Sequence, residues 1–222
     1  MLRYPMSPLV FVGGTGPEGL GLALRLAAAG EPIVVGSRVA ERAAAAAETI
    51  RSQVPRADVQ AFENLEAVTR SDRIVLAFPY EGLLPFLDAA HERLGGKLVI
   101  DVIVPLAVTK GFFGLAPVPD AASVGELIQQ RLPTARVVSA FKNLSAEKLR
   151  DLGESLEGDV VLCGNDAAAR AQVTALVAKL PGLRPVDAGG IANSRYLEAI
   201  TALLLNLNRK YKARASIGIL GI

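Results

Sequence analysis

Leu9-Val10-Phe11-Val12-Gly13-Gly14-Thr15-Gly16-Pro17-Glu18-Gly19 runs from an apolar β-type segment straight into Gly-x-Gly-x-x-Gly at Gly14, Gly16 and Gly19. Leu20 to Ala29 follows, rich in Leu and Ala as a helix requires, and Gly30 suits its stop. A strand, a glycine turn and a helix in that order read as a dinucleotide-binding turn. Gly14 is expected to allow the tight turn, Gly16 to let the backbone approach a pyrophosphate, and Gly19 to let the helix pack closely on the strand. The helix N-terminus then presents unpaired N–H groups and the positive end of its dipole to the phosphates. Thr15, Pro17 and Glu18, inside the turn, join the three glycines as expected cofactor contacts.

A second strand, Ile33-Val34-Val35, ends in Gly36-Ser37-Arg38. An NAD site carries Asp or Glu at this point, roughly 20 residues beyond the glycines, to hold the ribose 2′-OH. No acid stands here. Ser37 can donate to a 2′-phosphate, Arg38 can pair with it or stack on adenine, and Arg42 lies one helical turn further on. The nucleotide is therefore expected to be NADP.

Outward from these motifs, short β-type runs alternate with helical segments. Strands are expected at 8–13, 32–36, 58–61, 73–78, 97–103, 136–140, 159–163 and 184–187. Helices fit at 20–29, 40–52, 64–68, 82–94, 122–131, 166–180 and 193 to about 212, with Asn64 as the cap of the short third one. This is an α/β pattern, a Rossmann-type doubly wound and mostly parallel sheet with a small C-terminal α/β lobe. A charged stretch carrying Glu147, Lys148, Arg150, Asp151, Glu154 and Glu157 marks a soft boundary. Residues 1–145 are expected to form the NADP-binding domain, and 146–222 a lobe that closes the cleft and pairs with a second copy.

Composition narrows the class. The chain is 51% hydrophobic but only 5% aromatic, so its core must be built mainly from Ala, Leu, Val and Ile. No apolar run reaches the roughly 18 residues that span a bilayer, and no signal peptide is evident. With 24 Lys plus Arg against 22 Asp plus Glu, there is no general charge argument for nucleic acid or membrane as partner. Cys163 is the single cysteine, which removes intramolecular disulfides and cysteine metal clusters and fits a cytoplasmic setting. No metal-ligand spacing is present, and the expected partner is a small-molecule cofactor substrate.

Ligands of such sheets sit beyond the carboxyl ends of the strands. The tips are Phe78-Pro79-Tyr80, Val102-Ile103-Val104-Pro105 and Ser139-Ala140-Phe141-Lys142-Asn143. Phe78 and Pro79 are expected beside the nicotinamide. Val104, Pro105, Phe141, Lys142, Asn143 and Leu144 are expected around a second substrate. Asp187-Ala188-Gly189-Gly190 ends the last strand, and Asn193-Ser194-Arg195 opens the last helix as a candidate anion or carbonyl site. The one histidine, His91, lies in a helical segment away from every tip. Lys142 is the sole catalytic candidate, and its alternative reading is a surface ion-pair partner. Without a general acid-base pair, the chemistry points to cofactors that the protein orients.

The stretches Gly13 to Leu26, Val34-Val35-Gly36-Ser37-Arg38, Cys163-Gly164-Asn165-Asp166, Gly182 to Gly189 and Asn193-Ser194-Arg195 together resemble the NADPH-dependent reductases of coenzyme F420, a deazaflavin. The resemblance spans nearly the whole chain. It implies an NADP-binding Rossmann domain, a homodimer, and a cleft in which nicotinamide and deazaflavin exchange hydride directly. Thr15, Ser37, Arg38 and Pro79 match the family's NADP contacts, and Phe141 to Leu144 match part of its deazaflavin pocket. Lys142 departs from the pattern, standing where members usually carry histidine. The architecture also resembles the cytoplasmic domain of the STEAP metalloreductases, where the acceptor is a flavin; Ala140-Phe141 and Ser145-Ala146 fit that group too. A pterin acceptor, or an NADP(H)-sensing module without turnover, completes the alternatives. For the homodimer, the stripe Leu197, Leu203, Leu204 and Leu207 with the tail Ile217-Gly218-Ile219-Leu220 offers the apolar surface.

Overall fold

The computed structural model describes residues 7–222. Its centre is an eight-stranded sheet of β1 (Leu9–Val12), β2 (Ile33–Ser37), β3 (Val59–Glu63), β4 (Arg73–Leu76), β5 (Leu98–Asp101), β8 (Arg136–Ser139), β9 (Gly158–Gly164) and β10 (Leu183–Asp187), in the order β10-β9-β8-β5-β4-β1-β2-β3. A separate hairpin is formed by β6 (Leu106–Thr109) and β7 (Phe112–Leu115). The helices are α1 (Pro17–Ala28), α2 (Ala40–Gln53), α3 (Asn64–Ala67), α4 (Leu83–Leu94), α5 (Val124–Arg131), α6 (Ala146–Arg150), α7 (Ala167–Val177) and α8 (Ser194–Tyr211).

Every residue of β1 and β2 is buried, as strands covered by helices on both faces must be. Two apolar clusters lie on the two faces. Leu22, Leu26, Ile33 and Val35 belong to one, and Val10, Val34, Leu83 and Leu87 to the other. Each fully buried side chain of this size contributes about 1.5–3 kcal/mol of transfer free energy. α1 is placed by its buried stripe Gly19, Leu22, Ala23, Leu26 and Ala27.

The eight expected strands are all present, and six of them are parallel. The other two run the opposite way: β9 pairs antiparallel with β8, Ser139 opposite Cys163, and β10 follows β9 in parallel. The charged boundary near residue 145 thus separates elements of one continuous sheet. The same reversal carries Asp187 to Gly190 away from the end where the parallel strands deliver their tips.

Two elements go beyond the sequence reading. Residues 106–115 form the hairpin, turning at Lys110 and Gly111 with φ of 49° and 78°. α6 follows the β8 tip, with Ser145 capping it by accepting from Lys148 N. Arg25 of α1 holds α6 and the turn after it, donating to the carbonyls of Lys148, Leu149, Asp151 and Glu154. At the start of the parallel strands Glu31 accepts from Arg73 at 2.8 Å and from Lys179, joining β4 to the end of α7.

Candidate active site

The phosphate turn divides its glycines by task. The left-handed conformation belongs to Gly13, at φ 74°, one residue before the position expected to make the turn. Gly14 is required by packing: a Cβ there would stand 2.9 Å from Phe11 Cβ. Gly19 is tight too, with Ala77 Cβ at 3.0 Å from such an atom, as the close strand-helix approach demands. Gly16 is different, because a Cβ on it would meet nothing nearer than Gly13 O at 3.7 Å. The protein itself leaves that face open. Gly16 is the N-cap of α1, Pro17 follows at N1, and the first-turn amides have no partner within the helix. Asn64, expected to cap α3, instead accepts from Gly13 N at 3.2 Å and braces the turn, while Glu63 takes the cap position.

Ser37 closes β2 with its Oγ accepting from Val39 N at 3.3 Å. Arg38 and Arg42 are exposed and make no side-chain hydrogen bond or ion pair among the described residues, so both cations are available to a phosphate.

Beyond the turn lies a cleft of about 580 Å³. Its walls bring together Gly16, Pro17, Glu18, Phe78, Pro79, Val104, Lys142, Asn143 and Leu144 from the expected set. Gly14 and Gly19 are buried inside the turn, and Thr15 lies within it, outside the cleft wall. Ser37, Arg38 and Arg42 lie outside the cleft wall as well, at the β2 tip and on α2. Two expected second-substrate residues do not reach it. Phe141, at φ 62°, turns its ring into the core and is 1% exposed, and Pro105 is buried with its carbonyl taken by Ala116 N. The C-terminal lobe expected to close the cleft contributes a third wall whose residues the sequence reading did not name: Thr201, Leu204, Leu205 and Asn208 of α8 and Ala213 to Ala215 after it. The apolar stripe on α8 was its only signal. The start of that helix, read as an anion site, is committed internally: Ser194 is fully buried against Ser139 at 2.8 Å, and Arg195 pairs with Glu126 at 2.9 Å.

Under the cleft floor sits a buried charge cluster. Lys142 Nζ lies 2.7 Å from Asp101 Oδ2 and 3.4 Å from Glu198 Oε1, and also donates to Ile103 O. Asp101 accepts from Ile103 N at 2.9 Å and Ser139 Oγ at 2.7 Å, while Glu198 accepts from Val124 N at 2.9 Å. Burial pushes the Glu198 carboxyl above the usual range, opposed by Lys142. It pushes the Cys163 thiol up to about 12, so this cysteine is no nucleophile. Lys142 is neither a surface residue nor a free cation. Its charge is already met by two carboxylates, which makes it a positioning residue for the Asp101 to Val104 tip.

Comparison with known proteins accords with this geometry. The family model described as NADP oxidoreductase, coenzyme F420-dependent, matches residues 8–105, from the first strand through the β5 tip. The F420-dependent NADP reductase of Methanocaldococcus jannaschii is 38% identical over 94% of this chain and 95% of its own length. The chain belongs to the F420-dependent NADP reductase family. The reductase of Methanothermobacter marburgensis is 34% identical over 93% of the chain and 94% of its own. Metalloreductase STEAP3 of Rattus norvegicus is similar at 29% identity over 90% of this chain but 37% of its own. Among solved structures, a protein from Arthrobacter sp. FB24 described as a candidate F420-dependent NADP reductase superposes with a TM-score of 0.79 at 27% identity, covering 98% of this chain and 99% of its own. The stretch that the family model matches contains the Gly16 opening and the Ser37-Arg38 pair. Lys142, Asn143 and Leu144 lie beyond it.

Proposed function

We propose that the protein transfers hydride between NADP(H) and coenzyme F420. The observation that carries this reading is the cleft itself, which runs from the open face of Gly16 past Phe78 and Pro79 to Lys142, Asn143 and Leu144. Bound there, the two cofactors supply the hydride donor and the hydride acceptor. The protein's share is placement. The first-turn amides of α1 receive the diphosphate, Ser37 and Arg38 with Arg42 receive the 2′-phosphate, and Phe78 and Pro79 flank the nicotinamide. Val104, Asn143 and Leu144 with the α8 wall would hold the deazaflavin beside it, supplying the proximity that hydride transfer needs. Leu204 and Leu205 exclude water from that contact. Residues 1–145 bind the nucleotide, and 146–222 complete the wall that closes over the second substrate.

The fit of NADP to these residues rests on two features of the chain: the space beside Gly16 and the two unpaired arginines after β2. No helix among the described residues is long and apolar enough to cross a membrane. The test is NADPH oxidation followed optically with F420, FAD, FMN and a pterin panel, with NADH in parallel. Rapid F420 reduction from NADPH is expected. Binding of NADPH with no turnover toward any acceptor would replace the enzyme by a nucleotide sensor.

The active form is a homodimer. Within the chain Leu197 and Leu204 are already covered, but Leu203 is 56% exposed, and Val108 and Phe112 of the hairpin are 61% and 65% exposed. The hairpin is docked on α8 by the Asn206 amide, which exchanges two hydrogen bonds with Phe113. Their joint apolar surface is what a second copy covers. Light scattering is expected to give a dimer, and Phe112→Glu to give monomer.

A further inference from the structure

Glu18 stands at the second position of α1 and lines the cleft between Gly16 and Phe78, yet its Oε1 is shut from water and has no hydrogen-bond partner among the described residues. An unpaired carboxylate is costly in such a place. The positive end of α1 favours the anion but supplies no direct bond to it. The other charged side chains of the cleft are Lys142, Glu147 and Arg214, from the β8 tip, α6 and the segment after α8. Lys142 is bound to Asp101 and Glu198, and Arg214 pairs with Glu147 at 2.7 Å and Glu154 at 2.9 Å. None of them reaches Glu18.

We propose that Glu18 is a neutral carboxylic acid whose O–H donates a hydrogen bond to the diphosphate end of the nicotinamide nucleotide, so that a proton on the protein is part of nucleotide binding. This rests on the NADP(H) reading above. Two anions side by side at Gly16 would repel, whereas an acid beside a phosphate oxygen binds it. Burial alone raises this carboxyl to about 8, which keeps it protonated at neutral pH. The nucleotide raises it further, because the bond exists only in the protonated form.

The test is NADPH binding by calorimetry from about pH 6.5 to 9.5, with wild type, Glu18→Gln and Glu18→Leu. Above about pH 8 the wild-type Kd is expected to rise by about tenfold per pH unit. Glu18→Gln, whose amide donates at every pH, is expected to lose that slope. Glu18→Leu loses both the slope and the donor, and binds more weakly than Glu18→Gln at every pH. A flat wild-type profile, or a slope that Glu18→Gln retains, overturns the proposal. If no form bound NADPH at the acid end, the nucleotide reading itself would fall. A second readout needs no ligand. Because the folded-state pKa is raised, wild type loses stability relative to Glu18→Gln as pH climbs from the ordinary carboxylate range to about 8. Parallel melting curves for the two across that range would also overturn it.

Discussion

Lys142 Nζ and Asp101 Oδ2 meet at 2.7 Å with both side chains sealed from solvent, 1% and 0% exposed. The pair joins the β8 tip to the β5 tip, and Glu198 ties both to α8. Removing one partner strands the others: Lys142→Ala leaves two buried carboxylates facing each other, at a cost of about 3–5 kcal/mol. For a chain of this length that lowers Tm on the order of 10 °C. The expected damage to F420 turnover then follows from a displaced Ile103-Val104 tip. A Lys142→Ala protein that melts with wild type would refute the buried pairing.

The glycines of the phosphate turn separate folding from binding. Gly16→Val fills space that the protein leaves empty, so the melting temperature is expected to hold while NADPH binding collapses. Gly14→Ala drives a methyl into Phe11 and costs about 1–3 kcal/mol of stability by overpacking. Calorimetry and thermal melts on the two variants check both halves. Equal NADPH affinity in Gly16→Val and wild type would move the diphosphate elsewhere.

Nucleotide choice is expected to rest on the β2 tip. Arg38→Ala removes an unpaired cation, and a hydrogen bond to a charged group is worth about 1.5–3 kcal/mol. NADPH should bind ten- to a hundredfold more weakly, by about 1.4 kcal/mol per decade, with NADH unaffected. Equal wild-type efficiency with NADH would contradict the assignment.

Acid should loosen the C-terminal segment first. Asp159 accepts two bonds from Arg184, each 2.7 Å, and one from Ile219 N at 2.6 Å. The Arg184 hydrogen bonds hold its carboxyl below the ordinary range, against its own burial and with help from the Ile219 amide. A depressed folded pKa gives stability that is complete above the unfolded value and lost as pH falls through the folded one. Amide exchange at Ile219 is therefore expected to accelerate below about pH 4 in wild type and at neutral pH in Asp159→Asn. Protection that is indifferent to both changes would show that the tail is held by other contacts.

What was legible from the residues depended on whether the signal was local. Strand, turn and helix at Leu9 to Ala29 announce themselves through periodicity and glycine spacing, and Ser37-Arg38 through the absence of an acid. Strand direction is not local. Nothing in Gly158 to Gly164 distinguishes an antiparallel neighbour of β8 from a parallel one, so the destination of Asp187 to Gly190 was hidden. The hairpin was hidden because Lys110-Gly111 is a weaker turn signal than Asn-Gly, so the apolar residues of Leu106–Thr109 and Phe112–Leu115 did not read as paired strands. Phe141 was read by its neighbours in sequence, whereas its left-handed backbone swings the ring into the core. The Lys142 carboxylates come from residues 101 and 198, far apart along the chain. Gly13 was overlooked beside a motif that begins one residue later.

The guanidinium of Arg25 gives the cleft a stiff side and a soft side. By gathering four carbonyls from α6 and the turn after it, that one side chain makes the phosphate helix and the near wall a single body. A flat ring entering between them would have to break those bonds before the wall could yield. Arg214, paired with Glu147 and Glu154, ties the segment after α8 to the same body, so passage of cofactors in and out is expected to be borne by the hairpin's flank, where Leu106 stands. With the site as proposed, the nucleotide end is expected to keep its shape while the acceptor end yields, an asymmetry suited to two partners that must arrive and depart independently.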